Sequence, residues 1–259
     1  NEDRYIKSDL FSCFRVHSED DVMSENRIEY RRRMDTIKKD FSRRSIIYDE
    51  YIVNIVPYHK EMLEALVSNI PFSEDEPIKI LELGCGTGMA TYGIIRKYPK
   101  AHIKCIDMSP DMLGLAKKKL EAFTNVEFTL ADFTKCKFEG KFDTVVSFLS
   151  FMYLGSDETR KSVFKKAYDV LVPEGIFISG EANVSRNKHF KGVYMKKWIE
   201  HMRESYSDDF IKTEVLDKAK KHGKGATLTD ELHYLEDIGF SKVDVFWKYY
   251  NFSVYGAIK

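Results

Sequence analysis

The sequence predicts an α/β fold: a doubly wound sheet of seven strands, mostly parallel, ending in an antiparallel C-terminal hairpin and carrying a helical lid and insertion. Three observations predict it. Strand-like apolar stretches alternate with helical stretches from Ile78 to Glu181, and that alternation builds a parallel sheet covered on both faces. The first of these strands runs straight into Gly84, Gly86 and Gly88, where the backbone must turn sharply or lie bare against a partner. Finally, "KVDVFWKYYNFSVYGAIK" alternates apolar and polar residues on both sides of Tyr250-Asn251, the pattern of an antiparallel pair.

The elements follow in order. Residues 1–45 are polar, with Arg31-Arg32-Arg33 and Arg43-Arg44 and no proline or glycine; they read as a helical N-terminal lid. The core spans 46–182. Met62, Leu63, Leu66, Val67 and Ile70 share one helical face, and "PFSEDEP" is a loop. Strands are expected at 78–83, 102–107, 126–132, 142–149 and 175–181, with helices at 89–97, 110–122 and 157–171. The first and fourth strands are apolar almost throughout, as burial on both faces requires. Residues 183–228 break the rhythm and read as a charged helical insertion covering the substrate site. Residues 229–259 complete the core, with a helix capped by Thr229 and closed by Gly239 before the hairpin.

Composition narrows the function classes. Lys+Arg and Asp+Glu both number 41, which argues against general nucleic-acid binding. Cys13, Cys85, Cys105 and Cys136 form no CxxC pair, so reduced thiols in a cytoplasmic protein are expected, with no metal site. No apolar run approaches the ~20 residues that span a bilayer, so no membrane association is expected. A homodimer is left open.

The glycine turn departs from two familiar patterns. Gly84 and Gly86 fit a dinucleotide turn, but Met89 stands where its third glycine or alanine belongs. The Gly-Lys-Ser/Thr ending of a phosphate-binding loop is absent. The run E-L-G-C-G-T-G, Glu82 to Gly88, instead resembles motif I of the class I S-adenosylmethionine (SAM) methyltransferases, a Rossmann-like family. Three further stretches resemble that family: Asp107 followed by "MSPDML", "ADF" at 131–133, and "VLVPEGIFI", where Glu174 stands in place of a common glycine. The resemblance implies SAM as cofactor and S-adenosylhomocysteine as product. It implies that Glu82, Gly84, Cys85, Gly86, Gly88 and Ser147 line the cofactor site. It implies Asp107 on the ribose hydroxyls, Met108 on adenine, Asp132 on the adenine amino group and the Phe133 N–H beside it.

A finer resemblance lies upstream. "FSRRSIIYDEYIVNIVPYHKEML" resembles the lead-in of type-11/25 methyltransferases and of the carboxy-SAM synthases that serve wobble-uridine modification in transfer RNA. It implies that Tyr48 touches the cofactor from a lid. The synthases also need an arginine for the extra carboxylate, and Arg203 is the nearest candidate. Substrate is expected at the carboxyl ends of the fourth and fifth strands, near Ser150, Phe151, Tyr153 and Glu181. Glu181 reads equally as base, substrate anchor or solvated strand-end carboxylate, with Tyr153 the second catalytic candidate. Trp198 and Tyr206 read as pocket wall or as core. Three functions stay open: methyl transfer to a small molecule, carboxy-SAM synthesis, and SAM binding without catalysis.

Overall fold

The computed structural model describes residues 48–222 and 225–259, with residues 32, 33, 35 and 36. The N-terminal lid expected at 1–45 otherwise lies outside the described residues, as does Cys13.

Seven strands form one sheet: β1 (Lys79–Leu83), β2 (His102–Asp107), β3 (Val126–Leu130), β4 (Phe142–Phe148), β5 (Leu171–Ala182), β6 (Ser241–Tyr249) and β7 (Phe252–Ile258), in the order β3-β2-β1-β4-β5-β7-β6. The first five pair in parallel; β7 runs antiparallel to β5 and β6. This is the mostly parallel doubly wound sheet expected. The order reverses between β1 and β4, and ligands of such sheets lie outside the carboxyl ends of the strands at that point.

The helices are α1 (Tyr48–Ile55), α2 (His59–Ser68), α3 (Met89–Lys97), α4 (Pro110–Lys119), α5 (Asp157–Val170) and α6 (Lys188–Met202). There follow α7 (Asp208–Phe210), which runs on through a π-helical stretch at Ile211–Leu216 into α8 (Asp217–His222), and α9 (Leu228–Ile238). On one sheet face Met62, Leu66, Ile94 and Ile95 pack over Ile80 and Ile178. On the other, Val163, Phe164, Ala167 and Leu235 cover Leu81, Val145 and Phe177. Alternate residues of a strand point to opposite faces, so one apolar strand feeds both cores.

Two boundaries differ from expectation. β5 starts at Leu171, not at 175, because Glu174 takes a left-handed φ of +62° and lets the chain bulge before Gly175. Glu174 thus occupies the place where the resembling family has a glycine, at some backbone strain. The cap of α9 is Thr227 rather than Thr229: its Oγ1 accepts the Asp230 N–H at 3.1 Å. Gly239 closes that helix in a left-handed turn.

The insertion is anchored at both ends by one bridge, Val184 to Thr227. It packs on α1 rather than spanning open space. The Trp198 indole N–H donates to the Ile55 carbonyl at 2.7 Å, and Tyr206 meets Tyr51 at 6.4 Å between ring centroids. Among the described residues no helix is long and apolar enough to cross a membrane.

Candidate functional site

The strand ends at the reversal point converge on a cavity of about 890 Å³, counting its open mouth. Its walls come from four strand ends, from α1 and α2, and from the first turns of α3 and α4 through Met89, Ala90 and Met112. β1 contributes Glu82, Gly84, Cys85 and Gly86; β2 contributes Asp107 and Met108; Asp132, Phe133 and Thr134 follow β3; Phe148, Leu149, Ser150 and Tyr153 come from the end of β4. Tyr48, Ile52 and His59 close it from above the sheet. Described residues of the insertion take no part in the wall; they reach the site only by holding α1.

The glycine loop is shaped by its neighbours. Gly84, Gly86 and Gly88 all have positive φ, a region that only glycine visits without cost. The Asp107 carboxylate ties the loop to the next turn: Oδ2 accepts the Gly86 N–H and Oδ1 the Ser109 N–H, both at 2.8 Å. Burial raises its pKa, against those backbone hydrogen bonds. Glu82 lies under the loop, fully buried, accepting the Thr91 hydroxyl at 2.5 Å; burial pushes its carboxyl up to about 7. For Asp132 burial pulls upward, but the Thr134 hydroxyl and backbone and Lys135 hold the carboxyl below its usual range.

Helix α1 is clasped to this loop. Thr87 Oγ1 donates to Asp49 Oδ1 at 2.5 Å, and Lys119 Nζ reaches Asp49 Oδ2 at 2.5 Å. Next to Asp49, Tyr48 forms part of the cavity wall, its phenol pushed well up by burial and by Tyr153. Asp49→Ala is expected to weaken the clasp by about 1 kcal/mol. Hydrogen exchange then reads roughly fivefold faster opening of Tyr48–Ile55, while the strands stay unchanged.

The structure brings Tyr48, Glu82, Gly84, Cys85, Gly86, Asp107, Met108, Asp132, Phe133, Ser150 and Tyr153 together around one cavity. It does not bring the other sequence candidates to the wall. Gly88 faces α4, where a Cβ would meet Leu120 Cδ1 at 2.9 Å. Ser147 and Glu181 lie behind the wall in a buried network: Glu181 accepts from Ser147, Ser179 and the N–H groups of Phe151 and Met152 at 3.0–3.2 Å. Glu181 is not the solvated strand-end carboxylate, being 1% exposed. Phe151 is core, stacked behind Phe133 at 5.9 Å. Trp198 is buried against α1, and Tyr206 stacks on Phe210 at 4.4 Å. Arg203 pairs with Asp208 through two bonds of 2.7 and 3.0 Å at the surface.

Residues that sequence reasoning missed include Ile52, His59, Thr134, Phe148 and Leu149. Thr134, Phe148 and Leu149 follow the ends of β3 and β4, so the expected strand ends could have pointed to them; Ile52 and His59 come from α1 and α2, and only tertiary contact places them here. Among the described residues no group of three His, Cys, Asp or Glu is placed to hold a metal ion.

Known proteins share these features. Residues 80–175 match a family described as "Methyltransferase domain". A carboxy-S-adenosyl-L-methionine synthase from Nautilia profundicola is 24% identical over 214 residues, spanning 82% of this chain and 91% of that protein. A malonyl-acyl-carrier-protein O-methyltransferase from Bacillus anthracis is 32% identical over 144 residues, or 55% of this chain; the match spans about half, 51%, of that enzyme's length. The solved structure of human N-acetylserotonin methyltransferase with SAM shares the fold, with a TM-score of 0.53 at 16% identity over 76% of this chain and 51% of that one. Residues 80–175, which build the strand ends around the cavity, are thus a methyltransferase domain.

Proposed function

We propose that this protein transfers the methyl group of SAM to a small molecule in the cavity above β1 and β4. One observation carries the reading: the charged residues lining the cavity, Glu82, Asp107 and Asp132, are all acidic, and no described lysine or arginine joins them. Such a lining attracts a cationic sulfonium and ammonium and disfavours a pyrophosphate. Met89 in the wall, where a dinucleotide turn needs a small residue, supports the same choice.

In this reading the bare backbone of Gly84–Gly86 lies against the methionine half of the cofactor. Asp107 accepts from the ribose hydroxyls, Met108 packs on adenine, and Asp132 with the Phe133 N–H meets the adenine edge. Tyr48 covers the cofactor from α1. Transfer is an in-line displacement, so the residues act mainly by positioning and by excluding water.

Calorimetry tests the cofactor. S-adenosylhomocysteine and SAM are expected to bind and NAD is not; NAD binding with no response to S-adenosylhomocysteine would end the reading. Asp107→Ala is expected to weaken S-adenosylhomocysteine binding by about 1.5–3 kcal/mol, because charged hydrogen bonds to the ligand and the tie to Gly86 are lost together. Asp107→Asn loses less, since its amide oxygen still accepts one bond. Exchange protection is expected to rise over Tyr48–Ile55 as well as Gly84–Gly88 when S-adenosylhomocysteine fills the site, because a cover must open for exchange of substrate and product. Protection confined to the glycine loop would make α1 a fixed wall.

A second reading, carboxy-SAM synthesis, is favoured by the 91% coverage of the Nautilia synthase. The acidic lining weighs against it, since an extra carboxylate needs a cation, and Arg203 is paired with Asp208 outside the wall. Mass spectrometry of ligand retained through purification separates the two: SAM or S-adenosylhomocysteine supports methyl transfer, and a mass greater by one carboxyl group supports the synthase.

A further inference from the structure

His59 is a buried polar side chain that nothing above uses. It opens α2 directly after Tyr58, whose left-handed φ of +55° reverses the chain between α1 and α2. The imidazole lines the cavity and is only 4% exposed. Its Nε2 is buried and has no hydrogen-bond partner among the described residues. A buried polar atom left unpaired costs about 1–3 kcal/mol, so a fold that keeps one in a cavity wall has a use for it or bears the loss for nothing.

The ring is held in place rather than loose. It meets Phe148 edge-on, 5.3 Å between centroids at 82°. The Phe148 ring packs against Gly180, where a Cβ would come within 2.7 Å of the phenyl ring. Gly180 therefore makes room for Phe148, and Phe148 supports His59. The remaining wall on this side is apolar or aromatic: Tyr48, Ile52, Leu149, Tyr153 and Leu154.

We infer that His59 orients the methyl acceptor, its imidazole hydrogen-bonding the hydroxyl or neutral amine that takes the methyl, on a substrate whose body is aromatic or apolar. The inference rests on the cofactor reading above and adds the substrate class to it. Burial lowers the imidazole pKa to about 4, against the upward pull of Asp49. The ring is thus neutral at pH 7, with one nitrogen donating and the other accepting. A hydroxyl or neutral amine can meet Nε2 in either tautomer, as donor or as acceptor, whereas a carboxylate can meet it only when Nε2 carries the proton. In the transfer, a lone pair of the acceptor forms the bond to the methyl carbon. The carbon–sulfur bond breaks with its pair going to sulfur, leaving S-adenosylhomocysteine, and the acceptor's proton passes to water. A base as weak as this imidazole orients the acceptor without retaining the proton.

The test uses the full chain saturated with S-adenosylhomocysteine and two probes, 4-methylphenol and 4-methylanisole, which differ in the hydroxyl proton. Wild type is expected to bind the phenol at least tenfold tighter. His59→Phe keeps the ring and its contact with Phe148, and is expected to erase that preference; His59→Gln is expected to restore part of it. A merely structural His59 would shift melting temperature and leave the preference intact. Equal binding of both probes by wild type, or a preference that survives in His59→Phe, overturns the inference. Failure of S-adenosylhomocysteine to bind wild type at all sinks the cofactor reading instead, which separates the two.

Discussion

Gly84→Ala is expected to destabilise the protein by about 2–5 kcal/mol and to abolish S-adenosylhomocysteine binding, whereas Gly86→Ala folds nearly normally yet binds poorly. Both glycines have positive φ, +74° and +54°, and an alanine there costs about 1–2 kcal/mol. The surroundings separate them. A Cβ on Gly84 would lie 2.5 Å from Ser150 Cβ and 2.8 Å from its Oγ. Ser150 cannot give way easily, because its hydroxyl donates to the Leu83 carbonyl at 2.9 Å. The ends of β1 and β4 must then move apart, and overpacking of this kind adds about 1–3 kcal/mol. A Cβ on Gly86 meets nothing within 4 Å, so only the backbone strain is felt in the fold. The loss appears in binding, at least tenfold, because Gly86 forms the cavity wall. Gly86→Val is worse still and exceeds Asp107→Ala, since a branched side chain resists this backbone region. Urea unfolding and calorimetry of both alanine variants decide it. A Gly84→Ala protein as stable as Gly86→Ala would mean that the strand ends are looser than the structure shows.

Glu181→Ala is expected to cost about 3 kcal/mol or more at pH 5 and to loosen the turn that carries Ser150 and Tyr153. The carboxyl gathers the Phe151 and Met152 N–H groups and the Ser147 and Ser179 hydroxyls. Alanine leaves two buried backbone donors unpaired, at about 1–3 kcal/mol each. The neighbouring network does not replace it, because the Arg160 guanidinium is engaged with Glu231 at 2.9 Å and with the Phe151 carbonyl at 3.0 Å. Glu181→Gln keeps one acceptor oxygen but turns an NH₂ toward backbone N–H groups, so it rescues only part. Burial first, and Glu231 second, push the Glu181 pKa up to about 7 from 4.5. A raised carboxyl binds its proton more tightly in the folded state. Its stabilisation is complete below pH ~4.5 and is lost as pH rises through ~7. The effect of Glu181→Ala is therefore larger at pH 5 than at pH 8. The neutral acid remains well bonded, since serine hydroxyls can accept as well as donate. Denaturant melts at both pH values check the sign; equal destabilisation, or a loss under about 0.5 kcal/mol, would remove Glu181 from its role as an anchor of the turn.

Legibility of the site followed distance along the chain. Glu82 to Gly86, Asp107 with Met108, and Asp132 with Phe133 were readable because each is the end of a strand followed by its own turn. The turn chemistry is local, and strand ends of a parallel sheet point to one edge. Glu181 was readable as important and not as what it is: a strand-end carboxylate looks the same whether it meets solvent or donors from its own strand, from β4 and from the turn after β4. The same holds for Trp198, whose indole could equally have walled a pocket; its bond to the Ile55 carbonyl joins residues that no local pattern links. Thr229 and Thr227 differ only in which hydroxyl meets an N–H three residues on, a choice made by the bridge to Val184.

By itself, then, the sequence determined the alternation of strands and helices, the hairpin that ends the sheet, and the glycine turn with its two acidic partners. These depend on periodicity and on backbone angles, which act over a few residues. Tertiary structure alone decided that Glu181 braces a turn, that the described residues of the insertion grip α1 and stay out of the cavity wall, and that His59 stands in the wall with a nitrogen unpaired among the described residues. Each depends on which side chains meet across the sheet, and burial and pairing are properties of that meeting rather than of any stretch of chain.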